Sequence, residues 1–197
     1  MLVLLDTCVY LRLAKRIRPF LGLKFGHHDY VLAVLPAVEN EVLKNPTLKY
    51  HNPWFTEGAF ESERIAHSVR LSKQEKIDLS NIKSVFTGHM HTKLSEFMIG
   101  GRSPPGAVDC EVLGFAYLRQ AIVVTDDLGL HLLAADFKLA IWHGYELLHK
   151  LFAAKIVTSD LIRDIYDAME RNQDITATWM NAKHITFKKV FGKLTKH

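Results

Sequence analysis

The sequence predicts an α/β protein, a three-layer α/β/α sandwich around a central, mainly parallel sheet. Short apolar segments without polar alternation lie at 2–5, 31–35 and 121–124. Such segments are typical of parallel strands that are buried on both faces. Segments with apolar residues at helical spacing separate them, so strands and helices alternate along the chain. Right-handed crossovers are therefore expected between successive strands.

The first part of the chain is predicted to supply two strands, each followed by a helix. In chain order these elements are a strand at 2–5, a helix at 7–21, a loop at 22–29, a strand at 30–35 and a helix at 36–45. The basic residues Lys15 and Arg16 favour the carboxyl end of the first helix. Pro36 is typical of the first turn of a helix, and the Asn45-Pro46 pair ends that helix.

The rest of the chain adds the other half of the sheet and further helices. The predicted elements are a mixed helical segment at 47–101 with helices at 61–71 and 82–99, a turn at 103–106, strands at 121–124 and 139–142, and helices at 109–118, 128–136, 145–152 and 159–169. A chain of 197 residues fits one domain. We expect a domain over 1–150 with a helical insertion at about 47–101, and a helical extension with a basic tail over 151–197 in the same domain.

Composition and charge restrict the class of protein. The chain is 48% apolar and 23% charged, which is typical of a folded globular protein. No apolar stretch approaches the roughly 20 residues that a membrane span needs, so we expect a cytoplasmic protein that does not act on membranes. The formal net charge of +4 favours a polyanionic partner such as RNA. Cys8 and Cys110 are expected to stay reduced.

Carboxylates stand at or soon after the ends of the predicted strands. Asp6 follows the first strand, Glu41 lies in the helix after the second, and Asp127 follows the strand at 121–124. A fourth acid, Asp109, opens the helix that precedes that strand. The carboxyl ends of parallel strands meet at one edge of a sheet, where ligands bind. Clustered carboxylates repel one another unless a cation neutralises them. The sequence therefore predicts a divalent ion, Mg²⁺ or Mn²⁺.

Four short motifs carry these acids. They are LLDTCV at 4–9, VENEV at 38–42, DCEVLGFA at 109–116 and VVTDD at 123–127. Together they resemble the PIN-domain family of metal-dependent ribonucleases, which includes the VapC-like proteins. The motifs are similar to that family's Asp-Thr/Ser opening, V-x-x-E-L/V element, D-x-x-I-x-A-x-A helix and T-x-D strand end. The match covers 1–45 and 105–150, and the interval between its two halves is longer than in the compact toxin-like members.

The resemblance implies an endoribonuclease that hydrolyses phosphodiester bonds of RNA with Mg²⁺ or Mn²⁺. The family's catalytic and metal-binding places fall on Asp6, Glu41, Asp109 and Asp127. In this mechanism Asp6 and Asp109 ligate metal, while the other two acids complete the shell or position the attacking water. Thr7 and Thr125 would orient the cluster through hydrogen bonds. The resemblance also implies that the protein is a toxin of a toxin–antitoxin pair, with an antitoxin protein as its partner. A homodimer is part of the same expectation.

Neighbouring residues compete for these roles. Asp126 is adjacent to Asp127, so one of the two can bind metal while the other caps the following helix, and the family pattern favours Asp127 for the metal. Glu39 is expected to point away from Glu41, and Glu111 is either a further ligand or a solvated helix residue. The cations expected to hold the RNA strand are Arg12, Lys15, Arg16 and Arg102. The composition of the basic tail, with Lys183, Lys188, Lys189, Lys193 and Lys196, suits phosphate contacts but favours a solvated end.

Two other functions remain open at this point. The first is a catalytically inactive PIN-like module that binds RNA or regulates without cleaving it. The second is a phosphotransfer enzyme with an aspartyl nucleophile at Asp6. Such enzymes carry a second acid two residues later, whereas this chain has Thr7-Cys8 after the aspartate. The phosphotransfer interpretation is therefore the weaker of the two.

Overall fold

A single five-stranded sheet forms the centre of the computed structural model, which describes residues 1–192. The strands are β1 (Leu2–Leu5), β2 (Lys24–Phe25), β3 (Tyr30–Ala33), β4 (Ile122–Val124) and β5 (Ile141–Trp142). Their order across the sheet is β2-β3-β1-β4-β5. All neighbouring pairs are parallel except β2 and β3, which are antiparallel. The predicted α/β fold with a central, mainly parallel sheet is confirmed.

Helices flank this sheet. Those of residues 1–192 are α1 (Thr7–Leu13), α2 (Pro36–Lys44), α3 (Pro46–His51), α4 (Gly58–Ala66), α5 (Lys73–Thr92), α6 (Leu94–Phe97), α7 (Ala107–Arg119), α8 (Leu128–Asp136), α9 (Gly144–Ala153), α10 (Ser159–Arg171), α11 (Ala177–Ile185) and α12 (Lys188–Phe191). Short 3-10 turns at Pro53–Thr56 and Ile99–Gly101 join some of them. No helix in this part of the chain is both long and apolar enough to cross a membrane.

Strand β1 lies in the middle of the sheet and fixes the place of the acid that follows it. Leu4 pairs with Ala33 on one side and with Val123 on the other. Val3, Leu4 and Leu5 are fully buried, as expected for a parallel strand with helices on both faces. The ladder continues one residue beyond the strand, because the Asp6 amide donates to the carbonyl of Val124 at 3.0 Å. Asp6 is thus anchored by its backbone at the carboxyl edge.

The segment after β1 differs from the prediction in two ways. Helix α1 ends at Leu13 rather than at residue 21, and the basic residues behind it lie in turns. Pro19 disfavours helical conformation in Arg18, the residue before it, so the helix is not expected to continue to residue 21. Strand β2 was predicted as loop. It is two residues long, and only Phe25 is buried, so it is too short to show any alternation.

The helical segment between α2 and α7 begins its long helix earlier than predicted. Helix α5 starts at Lys73 instead of residue 82. Ser72 and Glu75 form a capping box at this start: the Glu75 amide donates to Ser72 Oγ at 3.2 Å, and the Ser72 amide donates to Glu75 Oε2 at 2.8 Å. Helix α5 then packs against α7 at Gly114, where a Cβ would stand 2.8 Å from Leu79 Cδ1.

The carboxyl-terminal extension shares the core of the sheet domain. Trp179 on α11 and Tyr166 on α10 are fully buried, and the Tyr166 hydroxyl donates to the carbonyl of Trp179 at 3.1 Å. Thr158 caps α10 by accepting from the Leu161 amide at 3.2 Å. Of the predicted basic tail, Lys193 and Lys196 lie outside the described residues.

The close approach of α5 and α7 leads to a stability prediction. We expect Gly114→Val to lower the free energy of unfolding by about 1–3 kcal/mol, because the new side chain overlaps Leu79 and Ile82 in a packed interface. Gly88→Ala in the middle of α5 is the control. Nothing lies within 4 Å of a Cβ built there, so better helix propensity should raise stability by about 0.5–1 kcal/mol. Urea unfolding measures both changes, and equal effects of the two would contradict this packing.

Candidate functional site

Asp6 is the most buried acid at the carboxyl edge of the sheet, with 5% of the residue exposed. Both of its carboxylate oxygens are held by donors from the chain. Oδ1 accepts from the Thr7 amide at 2.6 Å, and Oδ2 accepts from the Thr125 hydroxyl at 2.8 Å. The side chain is therefore fixed in direction by the two elements that follow β1 and β4.

Thr125 connects Asp6 with Asp127. Its hydroxyl donates to Asp6 and accepts from the Asp127 amide at 3.1 Å. Asp127 is also the N-cap of α8, because its Oδ1 accepts from the Leu130 amide at 2.8 Å. One carboxylate oxygen of Asp127 thus caps the helix, and the carboxylate as a whole lies beside the end of β4. The expectation that the other residue of the Asp126-Asp127 pair would cap this helix is wrong.

Glu41 and Asp109 approach the same edge from helices. The Thr7 hydroxyl donates to Glu41 Oε2, which ties α2 to the start of α1. Asp109 lies in the first turn of α7, and its Oδ2 accepts from the Gly106 amide at 2.7 Å. Thr7 and Thr125 thus orient Glu41 and Asp6, the role that the sequence resemblance implied for them.

The carboxylates act on one another electrostatically. Burial raises the pKa of Asp6 to about 7, and the negative charges of Asp109 and Glu41 add to this rise against the hydrogen bonds from Thr125 and Thr7. The pKa of Asp109 is also raised, first by burial and then by the charges of Asp127 and Glu41. Within residues 1–192 no Lys, Arg or His forms an ion pair with any of the four acids. The cluster is an uncompensated patch of negative charge.

The donor set of this cluster fits a hard divalent cation. In the part of the chain that the structure describes, no three His, Cys, Asp or Glu side chains stand close enough to ligate one ion together. Mg²⁺ and Mn²⁺ need fewer protein ligands than that, since Mg²⁺ keeps several waters and is usually held by one or two carboxylates. Carboxylate oxygens are the ligands these ions prefer. None of the four acids forms an ion pair with a residue between 1 and 192.

Asp126 belongs to a separate, buried network behind the cluster. Its carboxylate accepts from the Arg12 guanidinium, from the Trp179 indole Nε1 at 2.7 Å and from the Gly144 amide at 2.9 Å. A Cβ on Gly144 would stand 2.9 Å from the Trp179 ring, so only glycine allows this approach. The network joins α1, the end of β4, α9 and the carboxyl-terminal extension. Asp126 therefore binds structural partners, whereas Asp127 faces the cluster.

Other competing residues are also accounted for by ion pairs. Glu39 points away from the cluster and pairs with the buried Arg64 at 3.0 Å. Glu111 pairs with Lys83 on α5 at 2.6 Å. Both carboxylates therefore have a positive partner, whereas the four cluster acids have none within residues 1–192.

The expectation that Arg12, Lys15, Arg16 and Arg102 hold an RNA strand stays a prediction, and three of these residues contact other groups of the chain. Arg12 is committed to Asp126. Arg16 pairs with Asp164 at 2.9 Å, and Arg102 donates to the carbonyl of Ile99 at 2.7 Å. Lys15 is an exposed cation. Sequence alone shows that a residue is basic, but it does not show which carboxylate the fold places beside it.

Comparison with known proteins gives a likeness in structure only. No family model matches the chain, and no curated protein matches it. The chain is similar to solved structures of VapBC-1 from nontypeable Haemophilus influenzae, at 16% identity and a TM-score of 0.43 over 74% of this chain and 99% of that one. FitAcB from Neisseria gonorrhoeae is 14% identical, with a TM-score of 0.47 over 73% and 98%. VapBC2 from Rickettsia felis, bound to a DNA fragment from their promoter, is 16% identical, with a TM-score of 0.40 over 73% and 98%. A likeness at this level does not define the family of the chain.

The raised pKa of Asp6 leads to a pH-dependent stability prediction. The pKa of Asp6 is about 7 in the folded protein and near 3.8 in the unfolded chain. The contribution of Asp6 to the free energy of unfolding is therefore most favourable below about pH 4. That contribution is lost as the pH rises through 7. In the presence of EDTA we expect Asp6→Asn to exceed the wild type in stability by roughly 2–4 kcal/mol at pH 8, with little difference at pH 4.

Urea unfolding at the two pH values measures this difference. The amide of the variant can still accept from the Thr7 amide and donate to the Thr125 hydroxyl, so the hydrogen bonds around position 6 have matched partners. A variant that is less stable than the wild type by the same amount at both pH values would show that the buried charge carries no such cost.

The Asp126 network leads to a second stability prediction. Arg12→Met should cost about 3–5 kcal/mol, because it leaves the carboxylate of Asp126, whose side chain is 6% exposed, without its cation. Arg16→Met is the matched control, since its partner Asp164 is 54% exposed and such pairs contribute about 1 kcal/mol or less. Thermal or urea unfolding distinguishes the two. Equal losses would mean that Arg12 and Asp126 do not form a buried pair.

Proposed function

We propose that the protein is a divalent-metal-dependent endoribonuclease of PIN-domain type, with a site composed of Asp6, Glu41, Asp109 and Asp127. The observation that carries this proposal is the charge state of the cluster. Asp6 is buried beside the charges of Asp109 and Glu41, and no cation of the described chain offsets them. A fold that keeps such an arrangement is best explained by an external cation that binds there.

In this proposal each acid has a place in holding the ion. Asp6 and Asp109 are the direct ligands, and Glu41 and Asp127 hold its waters or position the attacking water. When bound, a divalent ion supplies a nucleophile near neutral pH and stabilises the charge that grows on a phosphoryl oxygen. Thr7 and Thr125 keep the carboxylates of Glu41 and Asp6 in fixed directions through their hydroxyl groups.

The choice of a phosphodiester as substrate rests on charge. The chain has a net charge of +4, yet its uncompensated acids are gathered at the end of the sheet. This layout suits a polyanion that is held by basic surface residues while one phosphate meets the ion. RNA rather than DNA follows from the resemblance of the four motifs to PIN-domain ribonucleases. The toxin function, the antitoxin partner and the homodimer follow from that resemblance alone and stay predictions.

Cleavage of a labelled RNA with and without Mn²⁺ tests the proposal. We expect the wild type to cleave only with the ion. We expect Asp6→Asn and Asp109→Asn to lower the cleavage rate by about a hundredfold or more, which is the upper end of the activity losses seen when residues around a metal are changed. Asp167→Asn, at an exposed aspartate of α10, is the control and should cleave like the wild type.

The outcomes separate this proposal from its main alternative. Persistent Mn²⁺-dependent cleavage by Asp6→Asn would rule out the role assigned to that residue. RNA binding by the wild type without any metal-dependent cleavage would instead identify the protein as a binding or regulatory module with the same fold.

A further inference from the structure

A large groove lies between α5, α7, the start of α2 and the segment 68–71. We call it the α5 groove. Its volume is about 1010 Å³, at the upper end of the roughly 300–1,000 Å³ that is usual for small-molecule sites. Leu35 and Pro36 form one wall, and these residues lead directly into the helix that carries Glu41. Glu111 lines another wall and stands two residues after Asp109. The groove therefore adjoins the segments that deliver two of the four acids.

The lining of the α5 groove combines an apolar floor with hydroxyl groups. Leu35, Leu79 and Phe115 are 3%, 5% and 0% exposed and form the buried part of the lining. Ser68 and Ser80 lie among the exposed lining residues. Pro36, Val69 and Leu71 are the apolar lining residues that stay accessible, and a flat aromatic ring fits against them. Hydroxyl groups can donate to or accept from polar atoms at the edge of the ring.

Positive charge predominates along the rim. Arg70, Lys76 and Lys83 line the groove together with a single acid, Glu111. Lys83 Nζ lies 2.6 Å from Glu111 Oε2, so these two charges neutralise each other. Arg70 and Lys76 are exposed, and neither forms an ion pair with another residue between 1 and 192. Two cations at the rim are thus available for an anionic ligand.

We propose that the α5 groove binds nucleotides of the RNA strand next to the one that is cleaved. Arg70 and Lys76 contact backbone phosphates, and a base lies against the accessible apolar lining formed by Pro36, Val69 and Leu71. This inference rests on the proposed ribonuclease function, and it assigns to the helical segment between α2 and α7 the task of holding the substrate. Of the basic residues first expected to do so, Arg12 and Arg16 form ion pairs within the chain.

Direct binding of RNA without catalysis tests the groove. The probe is a short fluorescein-labelled single-stranded RNA, and binding is followed by fluorescence anisotropy in the Asp6→Asn background with EDTA. Against this background we compare the double variant Arg70→Gln/Lys76→Gln with the control Lys49→Gln/Lys73→Gln. The control removes the same charge from exposed lysines that do not line the groove.

The loss of two phosphate contacts should change the salt dependence of RNA binding by a defined amount. The slope of log K against log salt should become smaller by about 1.4, at about 0.7 per contact to a single strand. Affinity at about 0.1 M salt should accordingly fall about ten- to thirtyfold for the groove variant, with little change for the control. A merely structural effect of the substitutions would lower affinity without this change in slope.

Two results would overturn the inference. One is equal affinity and equal salt slope for the groove variant and its control. The other is competition by polyglutamate as strong as competition by unlabelled RNA, which would identify the groove as a site for acidic protein segments. Because binding is measured without metal, a failure of the cleavage assay leaves this test intact. RNA binding with the expected slope but no cleavage by the wild type would remove the nuclease function and retain the groove.

Discussion

Negative charge held out of water at the carboxyl edge of the sheet is the constraint on which the rest of this structure depends. Asp6 is buried next to Asp109 and Glu41, and its pKa rises to about 7 as a result. Hydrogen bonds from Thr7 and Thr125 offset part of the cost of desolvation, but they do not supply positive charge. The fold must therefore stabilise this edge elsewhere, through the apolar core that continues from the sheet into the carboxyl-terminal extension. A site that costs stability in this way is typical of function rather than of packing.

Two adjacent aspartates at the end of β4 have different tasks in the structure. Asp127 faces the cluster and caps α8, whereas Asp126 joins Arg12, Gly144 and Trp179 in a buried network. Because successive residues after a strand point in different directions, one short motif can serve both tasks. The network also ties the extension to the sheet, because the Trp179 indole donates to Asp126, the residue next to Asp127. Loss of the extension would expose a buried carboxylate and its arginine.

The sequence was sufficient for the parts of the structure that depend on local pattern. Strand β1, helix α8 and the position of Asp6 follow from apolar runs and the residues that end them. The start of α5 also has a local signal, because the Ser-x-x-Glu spacing of Ser72 and Glu75 is typical of a capping box at a helix start. The partners of Asp126 could not be predicted in this way. Arg12 is 114 residues away and Trp179 is 53 residues away, so only the folded chain shows that they meet. The same holds for the α5 groove, whose walls come from four separate segments.

Calorimetric titration of Mn²⁺ into the metal-free protein tests the central claim most directly, because it asks whether the clustered carboxylates bind a divalent cation without requiring any reaction. The account predicts saturable binding by the wild type and by Asp167→Asn, and binding that is lost or strongly weakened in Asp6→Asn. Absence of saturable binding by the wild type, or equal binding by the wild type and Asp6→Asn, would contradict it.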